Sequence, residues 1–213
     1  MAVLNSDGTL TPVPTRIDGN GTITVLIAGD VTLVPLNVRA NFTDIDFGTP
    51  YRHVTDEINT AAARMLVEGI GGGRFGRPEP VTAAQTATML LRAMGVRVEF
   101  ATVMAMGERY GVTNSTMLPG GPMSRIATAT MMVNALKYLG LCPAMTAAEA
   151  DGLLRGFTDV GSLTAQERLD LAVCVKLGLF QGFGDGTMQP GAVLRRSHMA
   201  RLAVRFQDFM LKS

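Results

Sequence analysis

Two kinds of hydrophobic spacing divide this chain of 213 residues. Within residues 1–40, β-branched and other apolar residues alternate or cluster at 22–27 and 31–38. Asp18-Gly19-Asn20-Gly21 and Gly29-Asp30 punctuate them as turns. Pro12, Pro14 and Pro35 confine parts of this stretch to sheet edges, because proline donates nothing to a ladder. The pattern predicts a small β meander without catalytic features. From Asn41 onward Ala, Leu and Met recur at intervals of three and four, which predicts helices.

The helical part repeats itself. Thr86-Ala87-Thr88-Met89-Leu90-Leu91-Arg92-Ala93-Met94 returns as Thr128-Ala129-Thr130-Met131-Met132-Val133-Asn134-Ala135-Leu136, and the same offset pairs Gly69 with Gly111 and Val81 with Met123. A third copy follows. Gly178-Leu179-Phe180 matches Gly69-Ile70, and the run from Val193 to His198 matches that from Pro80 to Gln85. Phe157-Thr158-Asp159-Val160 matches Phe42-Thr43-Asp44-Ile45, an opening that the middle copy lacks. The expected organisation is a β-rich segment over 1–40, then repeats over 41–95, 96–145 and 155–213. Two amphipathic helices per repeat cannot bury a core alone. Three repeats about a common axis can, with Leu90, Met132 and Ala203 at equivalent inward positions.

Composition narrows the function. Hydrophobic residues make up 47% and charged residues 17%, which argues against disorder. A net charge of +1, with basic residues scattered singly, leaves no footprint for nucleic acid. Apolar runs such as 23–28 and 169–177 fall well short of the ~20 residues of a spanning helix, so no membrane insertion is expected. No signal peptide opens the sequence, so an extracellular role places the export signal upstream. Cys142 and Cys174 lack metal-site spacing, and Cys174, in helical register with Leu171 and Leu177, reads as a buried free thiol.

The Phe-x-Asp opening, the helix ending in Gly-Ile or Gly-Leu, the loop Gln181-Gly182-Phe183-Gly184-Asp185-Gly186-Thr187-Met188-Gln189-Pro190 and a helix start of the Ile-Thr-Arg-Ala-Glu type together resemble the S-layer homology domain, in three tandem copies. The resemblance runs from Phe42 to about Met210. It implies a mainly α fold, three helix–loop–helix repeats in a pseudo-threefold bundle, preceded here by the β segment. It also implies a non-catalytic cell-surface anchor that binds secondary cell-wall polysaccharide, carrying pyruvylated sugars, in grooves between repeats. The family's groove-lining Thr-Arg pair falls on Thr82, on Ser124 and Arg125, and on Arg195 and Arg196, with Asp44 and Asp159 in the openings. A guanidinium fork at a helix start suits a pyruvyl carboxylate. Departures are Ala83 where the family has Arg, Arg195 for Thr, and His198 for Glu. The aromatic residue usual after the Asp is missing, and His53 stands near its place in the first copy. Competent grooves are expected on Arg125 and Arg196.

Simpler readings stand beside these. Thr82 and Gln85 have capping-box spacing. Asp44 and Asp159 could cap the first helices, and Arg125 and Arg196 could be exposed first-turn residues or partners of those aspartates. The GxGxxG spacing over residues 71–76 follows a helix and runs into prolines, so it reads as a turn rather than a dinucleotide cradle. Asp44-Ile45-Asp46-Phe47-Gly48 has Thr55 where a calcium loop needs Glu. No metal or cofactor is expected. With two histidines, no nucleophile elbow and no placed carboxylate pair, neither is catalysis. The competing reading is a protein-interaction module that keeps this fold without binding polymer.

Overall fold

The computed structural model describes residues 1–45 and 52–213, so residues 46–48 of the calcium-like run lie outside the described residues. Among the described residues, five short strands precede seven α-helices. The strands are β1 (Ala2–Leu4), β2 (Leu10–Pro12), β3 (Thr15–Ile17), β4 (Ile23–Val25) and β5 (Leu33–Val34). They do not form a meander. β1 is central in an antiparallel sheet ordered β2-β1-β5, with Val3 opposite both Thr11 and Leu33, while β3 and β4 form a separate hairpin. The prolines explain the break. Pro12 ends edge strand β2 and Pro14 follows, so the chain leaves the first sheet there. The Asp18–Gly21 turn stands as expected, with the Asp18 carboxylate accepting from the N–H groups of Asn20 and Thr22. The equivalent turn at Asp7-Gly8, where Asp7 accepts from Thr9, makes the β1–β2 hairpin that the alternation alone did not reveal.

The helices are α1 (Arg52–Ala63), α2 (Ala83–Ala93), α3 (Val103–Arg109), α4 (Arg125–Tyr138), α5 (Ala147–Leu154), α6 (Ala165–Lys176) and α7 (Arg196–Met210). α1 packs on α7, α3 on α2, and α6 on α4. Each of α1, α3 and α6 thus rests on a helix that is not the next long one in sequence. Leu90, Met132 and Ala203 are all fully buried, as their spacing requires. Cys174 is a free, fully buried thiol whose Sγ–H points at the Ala129 carbonyl, and Cys142 is also free. α5 lies between the repeats read at 96–145 and 155–213, where no helix was expected. Its signal is the capping box Thr146-x-x-Glu149.

α2, α4 and α7 spring from a closed ring of peptide hydrogen bonds. Val81 N–H donates to the Leu194 carbonyl at 2.9 Å, Leu194 to Met123 at 2.8 Å, and Met123 back to Val81 at 2.9 Å. Isolated bridges Pro80–Arg195, Thr82–Pro122 and Ser124–Val193 flank the ring. All three ring side chains are buried.

The helix ends revise the expected glycine register. Met65, Gly111 and Gly178 hold φ of 58°, 67° and 68° just beyond α1, α3 and α6. Val112 N–H closes onto Gly107, as Leu66 closes onto Ala61 and Leu179 onto Cys174. Gly111 and Gly178 therefore correspond to Met65, not to Gly69. Gly69 corresponds to Gly182, because a Cβ on either would strike the ring of Phe42 or Phe157. Gly178→Ala should cost about 1–2 kcal/mol in urea denaturation from left-handed backbone strain alone, since nothing else lies near its missing Cβ. Gly182→Ala should cost more, because the Phe157 ring must move.

Candidate functional site

Asp44 and Asp159 do not cap the first helices. Asp44 accepts from Phe75 N–H at 2.7 Å and Gly76 N–H at 2.8 Å, and Asp159 accepts from Met188 and Gln189 N–H, both at 2.8 Å. Each aspartate sits in a turn and folds a loop some thirty residues later. The adjacent threonines repeat the pattern, with Thr43 N–H on Gly73 and Thr158 N–H on Gly186. Desolvation alone would raise the Asp44 carboxyl, but the loop N–H groups outweigh it and hold it below the usual carboxylate range.

The two arginines grip the other side of the same peptides. Arg196 Nε donates to the Phe75 carbonyl at 2.9 Å and its Nη2 to the Glu68 carbonyl at 2.8 Å, with the guanidinium 5.0 Å from the Phe75 ring centre. Arg125 repeats this on the other loop, with Nε on Met188 at 2.8 Å and Nη2 on Gln181 at 3.0 Å, lying over Phe180 and Phe183. An Asp–peptide–Arg clamp therefore forms twice, each time with the Arg supplied by a helix remote in sequence. Arg196 is not the exposed first-turn residue that its helix position suggested, since only 4% of it is accessible. Arg125 is half-buried. Burial lowers the pKa of both guanidiniums, opposed by Asp159 near Arg125 and by Glu79 and Asp44 near Arg196.

The third loop has neither half of the clamp. The middle copy lacks the Phe-Thr-Asp opening, and Ala83 stands at the Arg position. Gly111 to Ser124 is four residues shorter than Met65 to Thr82 or Gly178 to Arg195. That loop is tied to its own helix, with Thr113 Oγ1 donating to the Met104 carbonyl. Thr82 caps α2 in the expected capping box with Gln85, Ser124 caps α4 through Ala127 N–H, and Arg195 at the N-cap of α7 provides no side-chain cap.

Two adjoining hollows, of about 190 and 400 Å³, share Arg125, Phe183 and His198. Arg201 and Arg205 line the first, Arg77 and Arg195 the second, and among the described residues no carboxylate lines either. Arg201 leans on Glu57 of α1 at 2.7 Å. His198 is held below its ordinary pKa by desolvation and then by Arg201, Arg125 and Arg195, with Glu57 opposing. Phe183 is exposed on the same surface. A groove with this lining suits an anionic ligand with an apolar face. Arg77, Arg201 and Arg205 escaped the sequence reading because only folding gathers them.

Residues 156–200 match the family model of the S-layer homology domain. S-layer homology domains are generally non-catalytic cell-wall anchoring modules of cell-surface proteins. The matched stretch contains Asp159, α6, the Gln181–Gln189 loop and the start of α7, so it supplies most of the groove around Arg125. No curated protein matches the chain. Among the described residues, no helix is long and apolar enough to cross a membrane.

The clamps should dominate stability. Arg196→Ala strands two carbonyls and should cost about 2–4 kcal/mol in chemical denaturation, with Lys rescuing only partly because it lacks the fork. The Asp44 carboxylate stabilises the fold above its unfolded pKa of about 4. Its contribution should vanish as pH falls through the lowered folded value, and Asp44→Asn should flatten that part of the stability–pH curve.

Proposed function

We propose that this chain is a cell-surface anchor built of three S-layer homology repeats, 41–95, 96–145 and 155–213, set about a pseudo-threefold axis through the Val81–Leu194–Met123 ring. It holds secondary cell-wall polysaccharide without catalysis, outside the cell. The anionic substituents of that polymer, pyruvyl carboxylates on this reading, enter the groove over Arg125. The observation that carries the proposal is the convergence of Arg125, Arg195, Arg201 and Arg205 on two adjoining hollows that no described carboxylate lines, one wall of which is the matched segment. Arg125 shapes the groove and reaches its surface, and Arg195 is exposed at its rim. Arg196, Asp44 and Asp159 position loops, and Thr82 and Ser124 start the helices from which the walls rise.

Purified bacterial sacculi, with and without their secondary polymer, test this reading. The chain should co-sediment with the first and not with the second. Arg201→Ala/Arg205→Ala should weaken binding about tenfold or more at low salt and flatten its salt dependence, with folding retained. Equal binding to stripped and unstripped sacculi, or a double variant that binds as tightly as the parent, would leave the interaction-module reading in its place.

A further inference from the structure

The two hollows over Arg125 meet at His198, which lines both together with Arg125 and Phe183. His198 is the third residue of α7, the position from which Gln85 of α2 accepts Thr82 N–H and closes a capping box. α7 has no such box, because Arg195 at its N-cap makes no side-chain cap bond. The imidazole is thereby released from capping. It is exposed, and among the described residues neither ring nitrogen has a hydrogen-bond partner. Arg201 on its own helix, Arg125 of α4 and Arg195 face it, and Arg77 lines the second hollow with it. From α1 comes Glu57, held by Arg201 at 2.7 Å, while Arg92, the one charged residue of α2, is paired with Glu68 instead. Desolvation and then the three arginines hold the ring below the ordinary histidine pKa, with Glu57 opposing, so it stands neutral at neutral pH.

An incoming anion reverses that balance, because it favours the imidazolium that the arginines disfavour. We infer that His198 is the proton-sensing contact of the groove, meeting an anionic group of the wall polymer as a cation and taking up one proton from solvent as that group binds. The inference rests on the polymer-binding reading and adds a dependence on pH that arginines, charged throughout, cannot provide. The sign follows from linkage. A bound anion raises the pKa of the ring, so affinity rises as pH falls from the bound value towards the free one. Below the free value both states carry the proton, and affinity levels off.

The test titrates the full chain by calorimetry with wall polysaccharide released from sacculi, between about pH 8 and pH 5. The parent should bind about tenfold tighter at the acid end, and heats in buffers of different ionisation enthalpy should show the proton taken up. His198→Gln should bind no tighter at any pH than the parent does at the alkaline end, with most of the slope gone. His198→Lys should bind tightly at both ends. Both variants change an exposed side chain, so urea midpoints should stay near that of the parent. In proton NMR the imidazole resonance missing from His198→Gln should titrate at higher pH once polymer is bound. Parent binding without pH dependence, a slope that His198→Gln keeps, or an imidazole whose titration ignores the polymer overturns the inference and leaves polymer binding standing. If the parent binds at neither end, the polymer-binding reading falls and takes this inference with it.

Discussion

Three peptide hydrogen bonds at the centre of the molecule constrain nearly everything else. Val81, Leu194 and Met123 each donate to one neighbour and accept from the other, so no one of the three segments can satisfy its backbone without both others. The ring is buried, and unpaired peptide groups there would each cost the desolvation of a polar group. α2, α4 and α7 begin within two residues of it, which sets their mutual directions. α1, α3 and α6 then fill the remaining sides by packing on α7, α2 and α4. Such a circular dependence links residues more than a hundred positions apart, and partial unfolding of one segment exposes the core faces of two.

The same wiring explains why the arginines are spent inside. A guanidinium near a helix N-terminus meets an unfavourable dipole, which is tolerable when its N–H groups satisfy carbonyls that a tight loop has turned inward. Phe75 and Met188 are those residues. Their N–H groups go to an aspartate some thirty residues earlier, and their carbonyls go to an arginine of a helix remote in sequence. The clamp thereby fixes a Gly-rich loop from both sides as the wall of a groove. Position in the helix-start motif and exposure to ligand are separate properties, and Arg196 has only the first.

Much of the fold was legible because it is periodic. The spacing that pairs Leu90 with Met132 and Ala203 identified the buried stripe, and Thr82 with Gln85 announced its cap. Turn chemistry at Asp18–Gly21 was also readable, whereas the sheet order was not, since β5 pairs across a long excursion to β1. The glycine register misled because Met65 occupies a left-handed position that composition assigns to glycine. The roles of Asp44 and Asp159 were hidden for a similar reason. Their partners are backbone N–H groups some thirty residues away, and such groups carry no residue-type signature. Part of the basic lining of the groove over Arg125 belongs to the same class, for Arg77, Arg201 and Arg205 are remote or unremarkable in sequence and converge only when α7 docks against two loops.

The missing third clamp is then a single structural change rather than three separate decays. With no Phe-Thr-Asp run before α3, the loop after it lacks the carboxylate that receives Phe75 and Met188 N–H in the other two loops. At residue 83 an arginine would carry its charge to a buried helix start without that acceptor, and alanine fits there fully buried. The shorter loop is anchored instead by Thr113, whose hydroxyl donates to the Met104 carbonyl. Loss of either member removes the physical reason for the other. Among the described residues the clamp thus stands twice on one body, over Arg125 and over Arg196, each closing a loop from a helix far away in sequence.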